Sequence, residues 1–115
     1  MKVKSNNISV PSILKVGKGN LKNIGIFLKE SGFSKVVVYF GNNLISLFGN
    51  IVFQSLKKEG IEVTYSEEWD SIHMEDIIKL AFSIPNNTEA VIGLGGGKVI
   101  DTAKYAGYLR RITFI

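Results

Sequence analysis

Val91-Ile92-Gly93-Leu94-Gly95-Gly96-Gly97-Lys98-Val99-Ile100-Asp101-Thr102-Ala103-Lys104 says more about this chain than any other stretch of it. Ala90 to Leu94 is a short apolar run that reads as a buried strand. It passes through three consecutive glycines into helical spacing from Lys98 to about Arg110, with Val99, Ala103 and Ala106 on one face and Ile100 and Gly107 beside it. Backbone amides therefore lie bare around the positive end of a helix dipole, a place that favours an anion. The missing side chains let a pyrophosphate approach the main chain and allow φ > 0 where the turn needs it. Three glycines in succession also cost backbone entropy that a ligand-free turn would not require.

Lys98 points the same way, because a cation in the first turn opposes the macrodipole at a cost of roughly 0.3–1 kcal/mol, which a bound phosphate would offset. Asp101 is open to two readings: an acid that favours the dipole, or an acceptor for loop amides or a ribose. The turn is not a P-loop, which would need glycine in place of Ile92 and a hydroxyl in place of Val99. It is not the dinucleotide fingerprint either, since Gly93-x-Gly95 would need its third glycine at Lys98, and the turn follows a late strand rather than the first.

Working outward, short apolar runs alternate with amphipathic ones along the whole chain. Ile13 to Val16 reads as a strand closed by Gly17-Lys18-Gly19, and Asn20 as the N-cap of a helix to about Ser31 that faces Leu21, Ile24, Phe27 and Leu28 inward. Lys35 to Phe40 is β-branched and aromatic throughout, which predicts a buried parallel strand. Gly41-Asn42-Asn43 makes the next turn. Leu44 to Glu59 is predicted helical, with Leu44, Phe48, Ile51, Val52 and Leu56 on one side, and Gly60 ends it. Ile61 to Tyr65 is the next predicted strand and Ser66 to Ser71 a polar connection. Met74 to Phe82 is a shorter helix facing Ile77, Ile78, Ala81 and Phe82 inward, and Ile112 to Ile115 begins a last strand. Strands joined through helices pair in parallel with right-handed crossovers. The predicted fold is therefore an α/β open, doubly wound parallel sheet, with ligands bound beyond the carboxyl ends of the strands, at the turns after Phe40 and Leu94.

The 115 residues hold one domain with a real core and leave no room for a second. Hydrophobic residues at 45% and charged residues at 21% are a globular balance. With no cysteine there is neither a disulfide framework nor a thiolate metal site, and a cytoplasmic location is the expectation. Met1 to Val10 lacks the apolar segment of a secretory signal, and no apolar run approaches a membrane span. The formal charge of +4 is spread along the chain, with Lys57-Lys58 and Arg110-Arg111 the adjacent basic pairs, so a nucleic-acid partner is not expected.

Gly-Gly-Gly-Lys-x-Ile-Asp-Thr-Ala-Lys at 95–104 resembles the cofactor motif of the iron-containing alcohol dehydrogenase superfamily, which includes glycerol and sn-glycerol-1-phosphate dehydrogenases. The similarity extends to Pro11-Ser-Ile-Leu-Lys-Val-Gly-Lys-Gly-Asn-Leu21, Val36-Val-Val-Tyr-Phe-Gly41 and Arg111-Ile-Thr-Phe-Ile115. It implies a Rossmann-like N-terminal domain of a dehydroquinate synthase-like fold. It also implies a nicotinamide cofactor whose pyrophosphate rests on Gly95, Gly96, Gly97 and Lys98 with Val99 and Asp101 nearby, and hydride transfer from an alcohol or polyol. The family often carries a ribose-binding, NAD-selecting aspartate after this strand. The matching position here is Gly41, followed by Asn42, so the resemblance implies that NADP is accepted as well as NAD.

Family members continue into a helical domain whose aspartate and histidines hold iron or zinc, and the resemblance implies that this chain stops before it. The chain alone is then expected to be inactive, with no metal site of its own; it leaves room for a homo-oligomer. His73, with Asp76 three residues on, reads as a surface residue rather than a metal ligand. An ending on apolar Thr113-Phe114-Ile115 looks like an interruption, because a bare edge strand invites aggregation. Two alternatives stay open: a 3-dehydroquinate synthase-like lyase, and a nucleotide-binding module without catalysis.

Overall fold

The computed structural model describes residues 18–115, so the strand expected at 13–16 lies outside the described residues. Four parallel strands form one sheet: β1 (Lys35–Phe40), β2 (Glu62–Glu68), β3 (Ala90–Leu94) and β4 (Thr113–Phe114), in the order β2-β1-β3-β4. Helices α1 (Ile24–Glu30) and α2 (Asn50–Lys58) cover one face, and α3 (Met74–Phe82) and α4 (Gly97–Arg110) the other.

The alternation of β1 explains the two layers. Val36, Val38 and Phe40 point into the core shared with Ile24, Leu28, Val52 and Leu56, whereas Val37 and Tyr39 point into the core shared with Leu80, Ala81, Val99, Ala103 and Ala106. A strand buried on both faces has no polar side to show, hence the unbroken KVVVYF run. From β1 the chain steps outward through α2 to β2, then returns through α3 across β1 to β3. The strand order thus reverses between β1 and β3, at their carboxyl ends.

The expected α/β doubly wound parallel sheet is present, and β1, α3 and β3 keep the expected bounds. Other expectations need correction. A 3₁₀ segment, Lys18–Asn23, precedes α1, so Asn20 lies inside a helical turn and is not an N-cap. The helix expected over 44–59 opens with a π-helical segment, Ile45–Gly49, and Ile51 is exposed. β2 continues to Glu68 instead of ending at Tyr65, because an edge strand is held through its backbone to β1 whatever its side chains. A bulge at Thr64, between the pairs Val36↔Val63 and Val37↔Tyr65, resets which residues face each core. On α3, Ile77, Leu80 and Ala81 turn inward, while Ile78 and Phe82 are exposed with Met74. The apolar residues cover too much of that helix's circumference for spacing alone to choose the face.

Candidate functional site

The turns after β1 and β3 meet at the point of strand-order reversal. Gly41 N–H donates to the Leu94 carbonyl at 2.9 Å, which extends the β1–β3 pairing by one bond beyond the strands. Gly95 then turns with φ +147°, and a β-carbon there would stand 2.8 Å from Val99 Cγ1 and 3.0 Å from Gly41 N. Only glycine fits both that dihedral and that space. Gly93 is tight for a different reason: a β-carbon would stand 2.9 Å from Ala103 Cβ and 3.2 Å from the Val99 carbonyl, so its absence lets α4 lie close on β3.

Gly96 and Gly97 differ from both. A β-carbon on either would meet nothing within 4 Å among the described residues, both residues are exposed, and Gly96 has an ordinary φ of −85°. Gly96 is the N-cap of α4, with no side-chain cap. The backbone bond from Ile100 N–H to the Gly96 carbonyl (3.2 Å) opens the helix, so the N–H groups of Gly97, Lys98 and Val99 precede its first intrahelical bond. Donors, dipole and open space coincide there, at the N-terminus of a 14-residue helix.

The other residues singled out in the sequence divide into two groups. Lys98 is exposed in the first turn. Val99 is 1% exposed and packs with Tyr39 and Ala103, its Cγ1 lying under Gly95, so its side chain supports the turn from below. Asp101 is exposed, but α4 starts at Gly97, so Asp101 falls beyond the first turn and its expected interaction with the helix end is weakened. Gly41 forms the wall opposite Gly95, its Cβ position 3.6 Å from Gly95 Cα. Asn42, exposed at the rim, donates from Nδ2 to Asp70 Oδ2 at 3.1 Å.

That last bond exposes something the sequence did not. The segment from Trp69 to Ser71, read as a plain connection, lies across the carboxyl end of β1. Trp69 N–H donates to the Phe40 carbonyl (2.8 Å), its ring packs on the α3–α4 core, and Thr102 Oγ1 donates to the Ser71 carbonyl (3.4 Å). Asp70, two residues past the end of β2, was the available signal.

Elsewhere, His73 is exposed in the N-cap position of α3, its N–H donating to Ser71 Oγ at 3.2 Å, while Ser71 Oγ donates to Asp76 Oδ2 at 2.8 Å. Among the described residues no three histidine, aspartate or glutamate side chains are grouped as metal ligands would be. Nor is any helix among them long and apolar enough to cross a membrane. The Tyr39 hydroxyl is buried with no hydrogen-bond partner among the described residues; burial first, then the neighbouring Tyr65 and Glu67, push its pKa far above the ordinary phenol value.

By architecture this is an open α/β sheet with a glycine turn at its switch point. The chain belongs to the iron-containing alcohol dehydrogenase family, whose profile matches residues 15–115. It is 33% identical over 106 residues to a glycerol-1-phosphate dehydrogenase (NAD(P)+) of Thermofilum pendens, covering 92% of this chain and 30% of that protein. It is 29% identical over 83 residues to glycerol dehydrogenase 1 of Schizosaccharomyces pombe, covering 72% of this chain and 18% of that one. Its fold superposes on the crystal structure of a glycerol dehydrogenase from Schizosaccharomyces pombe with a TM-score of 0.75 and 25% identity, over 83% of this chain and 24% of that one. On an alcohol dehydrogenase from Oenococcus oeni the TM-score is 0.69 with 28% identity, over 86% and 27% of the two chains. The chain thus spans about a third of the length of its curated relatives, or less.

Proposed function

We propose that this chain is the NAD(P)-binding portion of a metal-dependent polyol or alcohol dehydrogenase, of the glycerol or glycerol-1-phosphate dehydrogenase type. The observation that carries it is the open space over Gly96 and Gly97 beside the uncapped start of α4, at the switch point between β1 and β3. The N–H groups of Gly97, Lys98 and Val99 would donate to the pyrophosphate, with the Lys98 ammonium adding charge. Gly95 shapes the turn, Gly41 and Asn42 border the adenosine ribose, and Asp101 stands further along the helix. The bound nicotinamide supplies the hydride acceptor, and an alcohol or polyol the hydride. Dehydrogenases named for glycerol and glycerol 1-phosphate among the relatives support that substrate class. A divalent metal, iron or zinc, belongs to the same proposal. The described residues offer no grouped ligands for it, so residues outside them would have to supply the site. A cytoplasmic location is also part of the proposal, supported by the absence of cysteine.

Titration of NADH against this chain and its Gly96→Val variant is the test. A β-carbon at 96 meets no neighbour among the described residues, so valine there should leave the fold intact while filling the cradle, and affinity should fall at least about tenfold, roughly 1.4 kcal/mol. Equal affinity would remove the glycine turn from the proposal. The chain alone should show no alcohol-dependent reduction of NAD with zinc or iron added; turnover would mean that the described residues suffice.

A further inference from the structure

The position directly after β1 carries no acid, since Gly41 and Asn42 stand there, and on the sequence alone nothing opposes a 2′-phosphate. The tertiary structure supplies one from another element. Asp70 follows β2, and three hydrogen bonds carry its segment over the end of β1: Trp69 N–H to Phe40 O, Asn42 Nδ2 to Asp70 Oδ2, and Thr102 Oγ1 to Ser71 O. Asn42 is bonded in sequence to Gly41, whose backbone touches Gly95 in the opposite turn. Asp70 follows β2, the strand next to β1 on the side away from β3. A dinucleotide whose pyrophosphate rests in that cradle extends along the same carboxyl ends of the strands.

The charge around the two ends differs in sign. At the β3 end stand Lys98 and the positive pole of α4. At the β2 end stand three carboxylates: Glu68 Oε2 accepts from Ile45 N–H at 3.0 Å, Glu67 accepts from the Tyr65 phenol, and Asp70 accepts from Asn42 Nδ2. Asp70 is exposed and tied to Asn42, which follows the Gly41 that meets Gly95.

We infer that Asp70, held by Asn42 across the end of β1, is the residue that selects the cofactor, disfavouring a 2′-phosphate and favouring NAD over NADP. This rests on the dinucleotide reading above and departs from the plain expectation that both cofactors are accepted alike. A doubly charged phosphate about 6 Å from a carboxylate at water-like dielectric is disfavoured roughly tenfold.

The test is a set of titrations with NADH and NADPH, at low and high salt, on the chain, on Asp70→Asn and on Gly96→Val. Asparagine at 70 can still accept from Asn42 and removes only the charge; matching thermal melts check the fold. The expected result is NADH bound about tenfold more tightly than NADPH by the unaltered chain. Asp70→Asn should bring the ratio to within about threefold, mainly by tightening NADPH, and high salt should shrink the unaltered chain's ratio towards that of the variant. A ratio near one in the unaltered chain, or one that Asp70→Asn leaves unchanged, overturns the role of Asp70 while the dinucleotide reading stands. Gly96→Val should weaken both cofactors together. Failure of both cofactors to bind the unaltered chain, or equal binding by Gly96→Val, overturns the cradle itself and Asp70's role with it.

Discussion

The glycine turn has a closed half and an open half. In the closed half, Gly93 and Gly95 are glycines because Ala103, Val99 and the Gly41 backbone occupy the space a β-carbon would need. In the open half, a β-carbon on Gly96 or Gly97 would meet no atom of the described residues within 4 Å. Neighbours in a single run therefore serve opposite purposes: the first pair lets a helix and a second turn press on the strand, and the second pair keeps the helix N-terminus bare. Packing dictates the closed half. No contact among the described residues accounts for the open half, and the proposed dinucleotide would.

Substitutions can break or sharpen this contrast. Gly95→Val should have the largest effect, since it combines a left-handed dihedral with contacts of 2.8 and 3.0 Å; a loss of about 2–5 kcal/mol is expected in denaturant melts. Gly93→Val, with an ordinary φ but a blocked β-carbon, should cost about 1–3 kcal/mol. Should Gly96→Val destabilise the fold as much as either, the division into halves would be wrong.

Tyr39 pairs with Gly93 across β1 and β3, beneath the closed half, and its buried hydroxyl has no partner among the described residues. Tyr39→Phe should therefore stabilise by about 1 kcal/mol. Its raised pKa fixes a sign with pH. The folded state keeps the phenol proton that the unfolded chain releases above about pH 10, so Tyr39's contribution to stability is intact below that pH and is lost as pH rises further. Melts from pH 9 to 11 should show that decline more steeply for the unaltered chain than for Tyr39→Phe. The smallest effect belongs to the open half: Gly97→Ala, at the first position of α4, should raise stability by at most about 1 kcal/mol. A drop on calorimetry would mean that Gly97 is packed after all.

Local signals carried much of this. The KVVVYF run announced β1 because a strand covered on both faces must be apolar at every position, and the triple glycine marked the start of α4 because bare amides there are rare without a use. Other elements were hidden for definite reasons. The end of β2 is polar, Glu67 and Glu68, yet it is a strand, because backbone bonds to β1 hold an edge that its side chains do not advertise. The inward face of α3 went to Leu80 rather than Phe82, since an apolar excess leaves the choice to whatever lies opposite.

The sequence by itself determined that strands and helices alternate, that β1 is a buried parallel strand, and that a glycine-lined helix start follows β3. These follow from periodicity and from the dihedral freedom of particular residues. Only the tertiary structure decided which glycines are packed and which are open, and that Asp70 stands beside Asn42, 28 positions apart in the chain. Contacts of that range depend on where the crossovers return the chain to the sheet, and no local pattern encodes that.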